Sequence, residues 1–426
     1  MKEGRGPLLE QLRRRLPEPA RGALERAVAL AEGEGLVLYL VGGGVRDLLL
    51  EAEQLDIDLV VERDALRLAS TLGAALDARV VTHPRFGTAV VRGEGFRLDL
   101  AGARTERYQR PGALPSVRPS RLADDLARRD FTINAMALPL NSQQAGRLID
   151  PHGGRGDLVQ RQVRVLHSGS FQDDATRILR ALRYAARLGF RLEPRTEALL
   201  RRHLPYLDTI SSARLRHEFE RIAAEERGEA ALRLAGRLGV LAAVHPALRP
   251  DERAFRALGR LSEVAPSHRD AVLFALLLAC ASQDEAEGAI GRLALTGRQA
   301  ETVRGAVALR EQEQGLARAS LRPSEAVRLL ARHPAAAVEA FALFAQSPGA
   351  AERARRYLRE WRFVRPRLNG RDVEALGVPH GPQVGAALAA LQEARLDGRA
   401  STRADEIALV QKPRRAGRPP AEVRRG

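Results

Sequence analysis

Leu55-Asp56-Ile57-Asp58-Leu59-Val60-Val61 is the stretch from which the rest of the chain is read. Side chains alternate across a strand, so Asp56 and Asp58 share one face while Leu55, Ile57 and Leu59 take the other. Two carboxylates at neighbouring same-face positions repel each other unless a cation lies between them. The spacing suits two divalent metals about 3.5–4 Å apart, the arrangement used for in-line phosphoryl transfer. A strand with one solvated face shows the same alternation, so the pair acquires meaning only from its surroundings.

Upstream, Gly42-Gly43-Gly44-Val45-Arg46-Asp47 follows the apolar run LVLYLV (36–41) and precedes LLLEAE (48–53), which reads as helical. Glycines there let backbone N–H groups approach a phosphate next to the positive end of a helix, and Arg46 adds a cation. A dinucleotide-binding turn is the competing reading. Its third glycine is missing, Asp47 stands in that place, and it leaves an Asp-x-Asp strand unexplained. Downstream, Asp99 in Phe96–Leu100 is either a third acid beside the pair or an exposed strand residue.

The chain has 426 residues, enough for roughly two to four domains. Its 45 % hydrophobic and 29 % charged content is that of a folded globular protein and excludes wholesale disorder or collagen-like repeats. The longest apolar run, AVLFALLLACA from Ala271, is shorter than the roughly 20 residues that span a bilayer. No apolar core with a small-residue cleavage site is visible near Met1, so no secretory leader is expected, and a cytoplasmic setting with no membrane partner follows. Cys280 alone makes neither a disulfide framework nor a Cys-based zinc site. Basic residues number 69 against 53 acidic, a net charge of +16 that favours polyanionic partners. With 11 Phe, 5 Tyr and 1 Trp, base-stacking modules for single strands are disfavoured relative to a folded RNA or duplex held by its phosphates.

Along the chain, residues 1–24 read as a basic N-terminal helix around Leu8–Leu16, broken by Pro17 and Pro19. Residues 25–165 alternate apolar strands (36–41, 55–61, 88–92, 96–100), a helical stretch over 64–76 and Gly turns, an α+β pattern. From about residue 166 the chain is rich in Ala, Leu, Arg and Glu with helical periodicity. Helices are expected over 174–187, 213–226, 229–238, 270–281 and 325–330. Residues 411–426 read as a disordered basic tail.

At Arg128-Arg129-Asp130-Phe131-Thr132-Ile133-Asn134-Ala135-Met136-Ala137, taken with VGGGVRD and LDIDLVV, the chain resembles the class II (bacterial-type) tRNA nucleotidyltransferases, which include CCA-adding enzymes and bacterial poly(A) polymerases. LIDPHGGRGDL at 148–158 and DDATRILRALRYAARLGF at 173–190 extend the likeness, which is dense over about residues 36–225 and returns weakly at 368–388. The resemblance implies a polymerase-beta-like head with a mixed sheet (25–165), a helical neck that reads the base (166–225) and a helical body and tail that bind the tRNA acceptor end (226–410). It implies two Mg2+ ions, CTP and ATP as substrates, and no template. Asp56 and Asp58 match the catalytic metal-binding pair, and Gly42, Gly43, Arg46 and Asp47 the segment that holds the triphosphate. Arg129, Asp130 and Asn134 match nucleotide contacts, with Asp130 at the ribose. Asp174 and Arg177, supported by Arg180, match the pair that reads the base edge.

On a helix, Asp174 and Arg177 share a face. An ionised Asp only accepts hydrogen bonds and Arg only donates them. Cytosine and adenine each carry an amino donor beside a ring-nitrogen acceptor and satisfy both side chains. Uracil and guanine place a carbonyl where the carboxylate needs a donor, which costs several kcal/mol. The same two residues also fit a simple helix ion pair. Two departures refine the expectation. No His-Asp dipeptide occurs, so a phosphohydrolase activity is not expected. Thr82–Thr88 lacks the Gly-Arg-Arg-Phe-type segment of the poly(A) polymerases, which favours tRNA. Residues 101–115, where family members that switch from C to A carry a flexible loop, form a short connection here, so CC-only and A-only addition stand beside full CCA addition. A non-catalytic RNA-binding relative would have no reason to keep both Asp56 and Asp58. His83, His152 and His245 have no spacing that makes a metal cluster and read as structural.

Overall fold

The four apolar runs become strands β1 (Leu38–Val41), β2 (Asp58–Val61), β4 (Thr88–Gly93) and β5 (Phe96–Gly102), and β3 (Arg79–His83), β6 (Arg104–Arg107), β7 (Ser116–Pro119) and β8 (Ala137–Pro139) are added to them in a computed structural model described over residues 6–411, apart from 54 and 114. Six of them form one mixed sheet of order β3-β4-β5-β2-β1-β8, and β6 and β7 make a separate hairpin. Within the six-stranded sheet only β2 and β5 run parallel, with Asp58 opposite Asp99 and Leu59 opposite Leu100. A parallel pair requires a crossover. Helix α4 and the β3–β4 ribbon supply it.

Helices in this part are α1 (Pro7–Arg15), α2 (Glu18–Gly33), α3 (Gly43–Leu49), α4 (Ala65–Leu76) and α5 (Leu122–Ala127). Helix α4 starts where Asp64 accepts hydrogen bonds from Leu66 N and Arg67 N, both at 3.1 Å, a cap worth about 1 kcal/mol. Its buried stripe Leu68, Ala69, Leu72 and Gly73 has the i, i+4 spacing of an amphipathic helix. It ends at Asp77 in the left-handed conformation. The other face of the sheet buries Val41, Val60, Ala103, Leu122, Leu126 and Ala137 in one cluster. β2 lies at the centre, with Ile57, Leu59, Val60 and Val61 all 5 % exposed or less. Side chains alternate across a strand, so three buried residues in succession mean that both faces of β2 are covered.

Three expectations are corrected here. Pro19 does not break a helix but sits in the first turn of α2, where its missing N–H costs nothing. LLLEAE is helical only at Leu48 and Leu49: α3 begins at Gly43, takes in Arg46 and Asp47, and ends before Leu50, with Glu51 at φ 55°. Residues 101–115 are not one loop, because β5 runs to Gly102 and β6 covers Arg104–Arg107, which leaves 108–115 as the connection to β7.

Beyond the sheet follow α6 (Gly154–Val159), α7 (Ser170–Asp173), α8 (Thr176–Leu188), α9 (Pro194–Arg202) and α10 (Ser212–Ala223). The chain divides into two compact units, one reaching Pro246 and including Arg292–Ala294, the other comprising Ala247–Gly291 and the residues from Leu295 onward. All the regular structure in the second unit is helical among the described residues. Its helix Arg269–Leu277 is buried over Ala271–Leu277, as an all-apolar sequence requires. Near the C-terminus Leu368, Val373 and Leu391 form a small core, pinned by buried Glu406, which accepts from the backbone N–H groups of Arg367 and Leu368 and from Arg395. Among the described residues no helix is long and apolar enough to cross a membrane. The basic tail expected at 411–426 lies, from residue 412, outside the described residues.

Candidate active site

The glycine turn and the carboxylate strand are in direct contact. Gly42 adopts φ 64°, ψ −125°, a conformation that suits glycine alone, and a Cβ there would lie 2.5 Å from an Arg129 guanidinium nitrogen. At Gly44 a Cβ would lie 2.6 Å from the Asp56 carbonyl oxygen and 2.9 Å from Leu40 Cδ1. The glycines therefore let α3 begin hard against the start of β2.

Asp56 is exposed just ahead of β2, and Asp58 is half-buried as its first residue. Asp99 lies opposite Asp58 in the parallel register, with its N–H donating to Ile57 O at 3.0 Å. Arg97, two residues earlier on β5, forks onto Asp99 through Nε and an Nη nitrogen, each at 2.9 Å. Burial raises the Asp58 carboxyl to about 6, and the charges of Asp99 and Asp56 push the same way against Arg129 and Arg97. The charges of Asp56 and Asp58 both favour the Arg97 cation, but β2 begins only at Asp58, so the strand face the two acids were expected to share does not extend to Asp56. Among the described residues no three His, Cys, Asp or Glu groups converge as a complete metal cage. Mg2+ is commonly held by one or two carboxylates, with water and substrate phosphates completing the shell. Two hard oxygen ligands that repel each other, one already driven towards protonation, fit such an ion.

Arg46 and Asp47 form a buried pair, with Arg46 Nε and an Nη nitrogen each 2.8 Å from the Asp47 oxygens. The other Arg46 Nη donates to Asn134 Oδ1 at 2.7 Å. The guanidinium also lies 5.2 Å from the Tyr184 ring centroid. Arg46 is thus a buried strut behind the glycine turn rather than an open cation. Asn134 in turn donates to Asp130 Oδ1 at 3.0 Å, and Arg180 donates to Asp130 Oδ2 at 2.9 and 2.6 Å. Burial alone would raise the Asp130 carboxyl, but Arg180 and Asn134 hold it below its ordinary value. Arg129 bonds to Asp125 Oδ2 at 2.9 Å and to Asn134 O at 3.3 Å. The run at 128–134 is thereby tied to both the glycine turn and α8.

Asp174 is not on the helix. It lies in extended conformation between α7 and α8, which starts at Thr176, so the shared helical face is replaced by a turn. Its Oδ1 accepts from Thr176 N and Thr176 Oγ1, and both oxygens lie 2.8 Å from Arg214 on α10. Arg177, buried on α8, donates to Ser170 Oγ at 2.7 Å and to Arg128 O at 2.8 Å. Each expected base reader is held by a third group rather than by the other.

A cavity of about 530 Å³ brings together Gly43, Asp58, Arg129, Asp130, Asn134, Asp174, Arg177 and Arg180. That volume suits a nucleotide-sized ligand. Gly42, Arg46 and Asp47 stand behind its wall, and Asp56 and Asp99 lie outside its lining. Sequence reasoning missed Arg214, Glu106, Tyr108 and Tyr184, which also line it. Tyr108 donates to Glu106 Oε2 at 2.9 Å, and burial together with Glu106 keeps the phenol protonated. The alternation in Arg104–Tyr108 could have revealed the hairpin pair. Arg214 comes 40 residues after Asp174 and carries no local signal.

Comparison with known proteins agrees with this architecture. Residues 38–164 match the family described as poly A polymerase head domain, and residues 189–251 match a probable RNA and SrmB-binding site of polymerase A. An A-adding tRNA nucleotidyltransferase of Geobacter sulfurreducens is 34 % identical over 426 residues, covering 95 % of this chain and 48 % of its own length. A CC-adding tRNA nucleotidyltransferase of Deinococcus radiodurans is 41 % identical over 206 residues, 48 % of this chain and 54 % of its own. The chain spans about half the length of these curated relatives. Among solved structures, the Thermotoga maritima CCA-adding enzyme complexed with tRNA has a TM-score of 0.78 at 28 % identity, with 95 % of this chain and 97 % of that one covered. A tRNA-processing enzyme has a TM-score of 0.63 at 31 % identity, covering 82 % of this chain and 98 % of that one. With the head-domain match over residues 38–164 and a solved relative 31 % identical of which 98 % is covered, the chain belongs to the poly(A) polymerase and tRNA nucleotidyltransferase family.

Proposed function

We propose that this protein is a template-independent RNA nucleotidyltransferase that adds C, A or both from CTP and ATP to the 3′ end of tRNA in the cytoplasm, releasing pyrophosphate. The observation that carries the reading is the contact of Gly44 with the backbone of Asp56, which sets the glycine turn against the acid segment whose Asp58 lines a nucleotide-sized cavity. Of the three tRNA reactions, addition of the terminal adenosine has the support of the Geobacter relative, which matches nearly the whole chain. The Deinococcus relative keeps CC addition as the second reading.

Asp56 and Asp58 are the residues that would hold two Mg2+ ions, with Asp99 as a third acid whose oxygens Arg97 occupies. Bound there, the metal supplies Lewis acidity that lowers the pKa of the attacking 3′-hydroxyl and offsets charge on the phosphates. The Gly42–Gly43 backbone borders the triphosphate, and the buried Arg46–Asp47 pair holds that turn in shape. Asn134 and Asp130 orient the sugar, and Arg180 keeps Asp130 ionised. Asp174 accepts from the exocyclic amino group of adenine or cytosine while Arg177 donates to the ring nitrogen. Arg214, Ser170 and the Arg128 carbonyl fix both side chains in advance, so little ordering cost remains on binding. The head (25–165) carries catalysis, the neck (166–225) reads the base, and the body and tail (226–410) hold the tRNA through its phosphates and shape.

The test offers purified protein three tRNA transcripts, ending before CC, after one C and after CC, with each labelled nucleotide. Single addition of A to the last transcript alone is the expected pattern for terminal-A addition. Incorporation into none of them refutes the reading, and long A tracts on all of them indicate a poly(A) polymerase.

A further inference from the structure

Helix α8 stands between two cavities of the N-terminal unit. Its stripe of Arg177, Arg180 and Tyr184 lines the catalytic cavity, and the adjacent stripe of Arg183 and Arg187 lines a second cavity of about 610 Å³. Arg221 on α10 lines both.

The arginines of the two cavities differ in what their donors do. In the catalytic cavity, Arg129, Arg177, Arg180 and Arg214 each make hydrogen bonds of 2.9 Å or less to protein acceptors. In the second cavity, Arg187 comes no nearer than 3.9 Å to Glu225 and 4.0 Å to Asp47, too far for a hydrogen bond. Both Asp47 oxygens are already held by Arg46. The Arg183 Nε is buried with no hydrogen-bond partner and sits 3.9 Å from Glu225. Arg227 has no carboxylate partner among the described residues and lies against Gly189 at the end of α8. Asp47, Glu225 and Glu226 also line the cavity, and among the described residues none of them accepts a hydrogen bond from these three guanidiniums.

A guanidinium presents five donors in a planar fork that matches the oxygens of a phosphate. We propose that this second cavity is a phosphate-binding site, engaged through Arg183, Arg187 and Arg227. The proposal rests on the nucleotidyltransferase reading, which offers two sources of phosphate: an RNA phosphodiester behind the reacting 3′ end, and the released pyrophosphate. Arg180 and Arg187 are about 10 Å apart along the helix axis, within reach of a nucleic-acid strand that ends in the catalytic cavity.

Direct binding tests this whether or not nucleotides are incorporated. Wild type, Arg187→Gln and the double variant Arg187→Gln/Arg227→Gln are titrated with fluorescently labelled tRNA by anisotropy, and with pyrophosphate by calorimetry. For an RNA phosphodiester, the double variant binds tRNA about 5- to 20-fold more weakly, and the slope of log Kd against log salt falls by about 0.7 for each phosphate lost. For pyrophosphate, its affinity falls by a similar factor while tRNA binding holds. Both ligands binding the double variant within twofold of wild type overturns the proposal. Because this readout needs no incorporation, an inactive wild type would discredit the enzymatic reading without deciding the binding result.

Discussion

Asp58 and Asp99 occupy directly opposed positions of the parallel β2–β5 pair, and Arg97 on β5 grips both oxygens of Asp99. The sheet therefore concentrates negative charge at the edge of the candidate nucleotide cavity and compensates it only in part. Such a cluster is costly without a cation and serviceable with one, the pattern of a site that gives up stability for function.

Asp58→Asn follows from that cost. Burial and its acidic neighbours raise the folded carboxyl from 3.8 to about 6. The penalty is absent below the unfolded value, grows as pH rises through the interval, and is complete above about 6. At pH 8 in EDTA the variant should gain up to about 2–3 kcal/mol of stability, and at pH 3.5 close to none. It should also lose nucleotide transfer. Thermal melts at the two pH values check this, and a variant no more stable than wild type at pH 8 contradicts the assigned strain.

Gly44→Ala tests the contact between turn and strand. The added methyl meets the Asp56 carbonyl and Leu40, so α3 or the start of β2 must shift. Transfer should fall at least 100-fold, since displacements near 1 Å are that damaging to aligned groups. Affinity for tRNA should stay within about threefold in a filter-binding assay. Full activity would show that the turn does not position the acids.

Arg177→Ala should relax base choice. Incorporation of U or G relative to A or C should rise at least tenfold, because a uniquely oriented donor is lost. Arg214→Ala should act in the same direction through Asp174, which it holds at 2.8 Å. Competition between labelled nucleotides measures both, and unchanged discrimination in both variants removes the base-reading assignment.

Asp125 is buried, and although burial raises its carboxyl, Arg129 and Arg128 bring it below 3.8. Its stabilising contribution is complete above the unfolded carboxylate value and is lost as pH falls through the lower folded one. Asp125→Asn should cost about 3–5 kcal/mol at pH 7 by leaving two arginines without their partner. It should also flatten the loss of stability as pH falls below about 4. Chemical denaturation across that range reads both effects.

Local sequence was enough for much of the head. Alternation located β2, β4 and β5 to within a few residues, because a buried strand needs an uninterrupted apolar face. Asp64 and the stripe after it marked α4 almost to the residue. Reading failed where a short segment depends on distant partners. β3 and β8 are edge strands held by pairing, and Ala137–Pro139 has no period of its own across three residues. LLLEAE looks helical by composition, yet α3 is shifted upstream because the glycines allow it to start against Asp56.

What the sequence alone determined is which reactive groups the chain carries and how they are spaced: two acids two residues apart, a glycine turn before them and an Asp and an Arg three residues apart beyond, all readable because side-chain types and separations are local properties. Only the tertiary structure decided how those groups are employed. It turned Arg46 from an open cation into a buried strut, moved Asp174 off its helix into the grip of Arg214, and left Arg183, Arg187 and Arg227 with unused donors. The reason is that a charged side chain's role depends on which acceptors surround it in space, and those acceptors come from residues tens of positions away.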